Sequence, residues 1–127
     1  MAIKDKRKKF RAVENGRIYI TATFNNTLIT VTDERGNPVV VDSTGMHGFN
    51  GTRKSTPYAA TTSAESALKK AMENHGLRRA NVYVKGIGPG REAALRYVKA
   101  SPVEIERIID MTPIPHNGVR PPKIRRV

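Results

Sequence analysis

Between Arg17 and Ser43 the chain alternates apolar and polar side chains with a period of two. In RIYITATF (17–24), Ile18, Ile20, Ala22 and Phe24 fall on one side and Tyr19, Thr21 and Thr23 on the other, which is the pattern of a half-buried strand. Asn25-Asn26 follows, a pair that tolerates the positive φ of a tight hairpin turn, and TLITVT (27–32) returns with Ile29 and Val31 in phase. DERGNP makes a second turn, and VVVDS (39–43) is a third strand. The three strands predict an antiparallel meander.

The period then breaks. From Thr44 to Thr56 the chain holds three glycines and no apolar repeat, which predicts a long loop, TGMHGFNGTRKST. Beyond it the spacing becomes helical. Ser55 or Thr56 can cap a helix with Pro57 at its first position, and Ala60, Ala64, Ala67, Leu68, Ala71 and Met72 line one face until Gly76 ends it after about His75. NVYVKG (81–86) reads as a short strand, IGPGR as a glycine-rich turn, REAALRYVKA (91–100) as a second helix and VEIERIIDM (103–111) as the last strand. A meander followed by helix, strand, helix and strand predicts an α/β fold: a mixed five-stranded sheet with two main helices, its last strands parallel.

Charge divides the chain in a way that hydropathy does not. The net charge is +12 over 127 residues, yet residues 1–11 hold six cations against one acid and the last sixteen residues hold four cations against none. This predicts a basic N-terminal arm (1–12), an α/β body (13–111) and a basic C-terminal tail (112–127) in which Pro113, Pro115, Pro121 and Pro122 forbid helix and central strand. Cationic extensions on a nearly balanced body point to a polyanionic partner, nucleic acid first. Neither extension has the apolar face or lipidation motif of a membrane anchor, no apolar run approaches the ~20 residues of a span, and the N-terminus lacks the apolar stretch of a secretory signal, so the expected location is cytoplasmic. The absence of cysteine excludes disulfides and thiolate metal sites.

Two segments invite an enzymatic reading. GIGPGRE leaves a strand and enters a helix, with Asp110 about twenty residues further on, so a nucleotide-dependent enzyme using the glycine-rich turn is the alternative to nucleic-acid binding. Its glycines are spaced G-x-G-x-G, however, and Pro89 stiffens the turn where the dinucleotide fingerprint needs free backbone. What remains is a turn at a helix N-terminus flanked by Lys85 and Arg91, with Gly88 and Gly90 allowing phosphate to approach. GFNGTRKS has the outline of a phosphate loop, but Arg53 replaces the glycine required before the lysine. Arg53, Lys54, Ser55 and Thr56 on a glycine-rich loop suit an irregular phosphate surface better than a nucleoside triphosphate. His47, His75 and His116 are scattered without a carboxylate at ligand spacing, so neither a metal nor another cofactor is expected. No small-molecule substrate is indicated.

Four stretches in order, FNNT (24–27), GTRKSTPYAA (51–60), VKGIGPGRE (84–92) and DMTPIPHNGVRPPKIRRV (110–127), resemble the small-subunit ribosomal protein S-eleven family in its bacterial form. The resemblance runs from about Arg17 to the C-terminus; Asn50, Ile87 and Ile124 stand where the family usually has arginine, proline and lysine. It implies a ribonuclease-H-like motif without catalysis, and the residues agree: nucleases of that fold begin their metal-binding carboxylates on the first strand, RIYITATF has none, and Glu65 and Asp110 are too few to form the cluster. It also implies a structural role in the platform of the small subunit, bound to the central domain of 16S-type ribosomal RNA near the messenger exit and the Shine–Dalgarno cleft, with mRNA and the ribosomal proteins S-eighteen and S-seven nearby. The residues expected to meet RNA are Lys6, Arg7, Lys8, Lys9 and Arg11 in the arm, Asn25, Asn26, Arg53, Lys54, Ser55, Thr56, Lys85, Gly88, Gly90 and Arg91 in the body, and Arg120, Lys123, Arg125 and Arg126 in the tail, where His116 and Asn117 can reach bases or sugars.

Overall fold

A computed structural model of the chain describes residues 12–48, 56–113 and 122. Strands β1 (Asn15–Ala22), β2 (Thr27–Asp33) and β3 (Pro38–Ser43) form the meander. A 3₁₀ turn (Thr44–His47) follows, then α1 (Pro57–His75), β4 (Arg79–Gly86), α2 (Gly90–Ala100) and β5 (Glu104–Asp110). The sheet order is β3-β2-β1-β4-β5, antiparallel from β1 to β3 and parallel where β4 joins β1 and β5 joins β4. This is the α/β arrangement that the alternation and helical spacing predict, a mixed five-stranded sheet with two main helices.

Both helices share one core with one face of the sheet. Ile18, Ile20, Ile29, Val31, Val82 and Val84 point into it and are fully buried, each stabilising the fold by roughly 2 kcal/mol through removal from water. From α1 come Ala60, Ala64, Ala67, Leu68 and Ala71, and from α2 Ala94 and Val98. The small alanine side chains let α1 lie close to both the sheet and α2. On the other face of the sheet Tyr19 and Tyr83, register partners on β1 and β4, stack with ring centroids 5.0 Å apart, and the Arg17 guanidinium lies 5.9 Å from the centre of the Tyr83 ring.

Two local expectations are corrected. The alternation placed Phe24 on the buried side of the first strand, but β1 ends at Ala22 and Phe24 is 73% exposed. The turn begins earlier because Thr23 closes it: its amide donates to the Asn26 carbonyl at 2.9 Å, and its hydroxyl oxygen accepts from the Asn26 amide at 3.0 Å. The loop expected from Thr44 begins instead as a 3₁₀ turn, pinned at its start by the Thr44 hydroxyl donating to the Asn26 side-chain carbonyl, and at its end by His47 meeting Asp42.

Topology has one consequence for the site. Strands β1, β3, β4 and β5 all point the same way, so their carboxyl ends lie together with the amino end of β2. The β1–β2 turn, the 3₁₀ turn, the glycine-rich turn before α2 and the start of the C-terminal tail therefore share one end of the sheet. The opposite end receives the chain before β1 and carries the β2–β3, α1–β4 and α2–β5 connections.

Candidate nucleic-acid interface

Three of the sequence motifs meet at that shared end. A Cβ on Gly88 would overlap the backbone carbonyl of Thr23, and a Cβ on Gly90 would overlap the Thr27 hydroxyl and come within 2.9 Å of the Ala60 methyl. The glycine-rich turn thus lies against the Asn25-Asn26 turn and the first turns of α1, and its glycines are required by that contact. The side-chain space they leave is filled by the protein's own backbone and core, so these glycines serve packing within the fold. Thr56, expected at a phosphate surface, caps α1: its hydroxyl oxygen accepts from the Ala59 amide at 3.3 Å, with Pro57 in the first turn.

Arg91 sits in the first turn of α2, where a cation is disfavoured by the helix dipole unless an anion is near. The anion is Asp110. Arg91 Nη2 donates to Asp110 Oδ2 at 2.8 Å, and Nη1 donates to the Gly86 carbonyl at 2.8 Å. The Thr112 hydroxyl donates to Asp110 Oδ1 at 2.7 Å and the Thr112 amide donates to the same oxygen at 2.9 Å, while the Gly86 amide donates to the Thr112 hydroxyl oxygen at 3.1 Å. Thr112 first, by hydroxyl and amide, and then Arg91 hold the Asp110 carboxyl well below the usual carboxylate range. These bonds tie the root of the tail to the glycine-rich turn.

A buried carboxylate steadies the other side of this end. Asp42 is fully buried on β3; its Oδ1 accepts from His47 Nε2 at 2.7 Å and from the Ser63 hydroxyl at 3.3 Å, and Lys70 Nζ lies 3.7 Å from Oδ2. Burying a carboxylate is costly unless it is paired and hydrogen-bonded, and the 3₁₀ turn and α1 both contribute to that pairing here. Ser63 and His47 both bind the same carboxylate, an arrangement that differs from the serine–histidine–aspartate relay of a hydrolase. His47 therefore has a carboxylate partner that sequence spacing did not reveal. The available signal was phase: in VVVDS, Asp42 shares the inward side with Val40.

Of the residues expected to meet RNA, Asn25, Asn26, Thr56, Lys85, Gly88, Gly90 and Arg91 lie among the described residues, and all belong to this end of the sheet. Asn25 and Lys85 are exposed. Asn26 uses its side-chain carbonyl within the fold, accepting from the Thr27 amide at 2.8 Å and from Thr44. Lys6, Arg7, Lys8, Lys9, Arg11, Arg53, Lys54, Ser55, His116, Asn117, Arg120, Lys123, Arg125 and Arg126 lie outside the described residues. Sequence reasoning missed Asp42 and Thr112 as organisers of the site and Phe24 as an exposed ring.

An α/β scaffold that gathers three loops and the root of a basic tail at one end of its sheet belongs to the class of nucleic-acid-binding proteins that meet a polyanion through several loops at once. The family model described as Ribosomal protein S11 matches residues 16–126, and the chain belongs to that family. It is an RNA-binding ribosomal protein of the small subunit, acting in translation; the family is one of structural ribosomal proteins, not of enzymes. Among the described residues no helix is long and apolar enough to cross a membrane.

Proposed function

We propose that this protein binds ribosomal RNA of the bacterial 16S type and helps to build the platform of the small subunit. In this reading the ribonuclease-H-like body serves as a scaffold in the cytoplasmic ribosome, beside the messenger exit and the Shine–Dalgarno cleft, with S-eighteen and S-seven as neighbours. The observation that carries it is the convergence of the Asn25-Asn26 turn, the helix start at Thr56 and the glycine-rich turn at the sheet end where the basic tail is rooted. Lys85 and Asn25 face outward there, and Arg53, Lys54, Arg120, Lys123, Arg125 and Arg126 supply phosphate contacts from the loop and tail. His116 and Asn117 add contacts to bases or sugars. Gly88 and Gly90 let the turn sit close to the surface, and Arg91 acts by orienting the tail root. The N-terminal cations Lys6 to Arg11 form a separate contact, because the chain enters β1 at the opposite end.

Filter binding of the full chain to a transcript of the 16S central domain, together with co-sedimentation with small subunits, tests the reading. Binding should weaken as salt rises, and the paired substitution Arg53→Ala and Lys54→Ala should reduce the slope of log K against log salt by about 1.4 at ~0.7 per single-stranded phosphate contact. Salt-independent binding, or no preference for the central-domain transcript over an unrelated RNA of equal length, would overturn it.

A further inference from the structure

Exposed apolar side chains are distributed unevenly along the sheet axis. At the end that carries the candidate interface, Phe24 is 73% exposed, Tyr58 74%, Ile87 68%, Met46 61% and Met111 47%. At the opposite end the branched aliphatic residues among the described residues of the connections, Val13, Leu77 and Val103, are buried. The five exposed side chains come from connections or helix starts spread across the sheet from the β3 side to β5, a width of about 19 Å at ~4.8 Å between neighbouring strands. Phosphate contacts alone do not account for them, since a cationic surface that reads only backbone has no use for exposed rings and thioethers.

We propose that this end of the sheet takes unpaired RNA nucleotides, with the ring of Phe24 stacking on a base. The inference rests on the ribosomal RNA reading and deepens it, since it separates unpaired from duplex RNA. Charge favours RNA over a protein partner here: Lys85 is exposed beside the glycine-rich turn, and the basic stretches of residues 49–55 and 114–127 are joined to the sheet at this end. Unstacked bases offer flat apolar faces to aromatic side chains, whereas a duplex presents phosphates and sugars. Phe24 is held ready for that contact. It stands within the turn closed by Thr23, whose hydroxyl oxygen also accepts from the Asn25 amide at 3.3 Å, and Gly88 packs against the turn's backbone. Little ordering remains to be done when a base arrives.

The test uses the full chain, a hairpin RNA with an unpaired loop and a blunt duplex of equal length. Wild type should prefer the hairpin. Phe24→Ala should lose about tenfold in affinity for the hairpin and nothing for the duplex, with the salt slope unchanged because no phosphate contact is removed. The chain has no tryptophan, so Phe24→Trp provides a single indole, whose emission should be quenched by the hairpin and not by the duplex. Equal losses on both RNAs, no loss on the hairpin, or an unquenched indole would overturn the stacking role. A lowered melting temperature of Phe24→Ala would do the same by placing the ring under the protein's own chain, as would unchanged RNA affinity with loss of binding to a ribosomal protein. Should wild type bind neither RNA while still binding the central-domain transcript, the unpaired-nucleotide inference alone falls; should it bind no RNA at all, the ribosomal RNA reading falls with it; should wild type bind and Phe24→Ala match it, only the stacking role falls.

Discussion

Asp110 shows how much one exposed carboxylate can organise with two partners, Arg91 on α2 and Thr112 just past β5. It receives Thr112 and Arg91 together, and Arg91 also holds the Gly86 carbonyl, so removing its charge loosens both the tail root and the entry to α2. Because the folded carboxyl titrates below its ordinary value of 3.8, its contribution to stability is complete at neutral pH, starts to fade as pH falls toward that value, and is lost as pH drops through the depressed folded pKa. Asp110→Asn should therefore melt below wild type at about pH 7, with a smaller gap near pH 2. Thermal melts at both pH values check this, and a gap as large at about pH 2 as at about pH 7 would show that the side chain matters through its shape and not its charge. Arg91 was legible in the sequence as a cation in an unfavourable place. Its partner was not, since Asp110 is 19 positions away and reaches it only through the parallel pairing of β4 and β5.

At the scale of elements, the parts legible in advance were those with a strong period. The alternation of Ile18, Ile20, Ile29 and Val31 and the alanine face of α1 marked the core, because burial enforces those spacings over many residues. The 3₁₀ turn at Thr44–His47 has no such repeat; contacts to Asn26 and Asp42 hold it, and these exist only once the sheet has formed. Phe24 fitted the strand pattern but not the strand, since a local turn closed by Thr23 overrode the alternation. The glycine-rich turn was legible as a turn, while the reason for its glycines lay in neighbours distant in sequence. Gly90→Ala tests that reason: the new methyl would meet Thr27 and Ala60, and overpacking of this kind costs about 1–3 kcal/mol. Chemical denaturation should show the midpoint falling at constant slope. A neutral result would mean that α2 can slide outward at its first turn.

At the scale of the whole molecule, the fold roots its two basic segments at opposite ends of the sheet. The chain enters β1 at one end of the sheet and leaves β5 at the other, so the N-terminal arm and the C-terminal tail start from opposite ends of the body. The tail leaves no helical period to dock, and deleting residues 113–127 should leave the melting transition of the body in place. RNA affinity should fall at low salt, with the slope of log K against log salt shrinking by roughly 3 if all four tail cations meet single-stranded phosphates at ~0.7 each. Loss of the melting transition would make the tail part of the core, and an unchanged slope would make it idle. Charge asymmetry was visible in the sequence; the opposite placement of the two roots was not, because it depends on which strands run parallel.

The same topology decides how the body answers a pull. If RNA domains grip the arm and the tail and move apart, tension enters β1 at its amino end and leaves β5 at its carboxyl end, with β4 between them and all three parallel. The force then runs along the strands, and the hydrogen bonds of both ladders share the load in shear instead of parting one by one as in a peeled hairpin. Forced unfolding is governed by the rate of crossing that barrier, not by equilibrium stability, so a protein of modest size can act as a stiff tie between two moving masses.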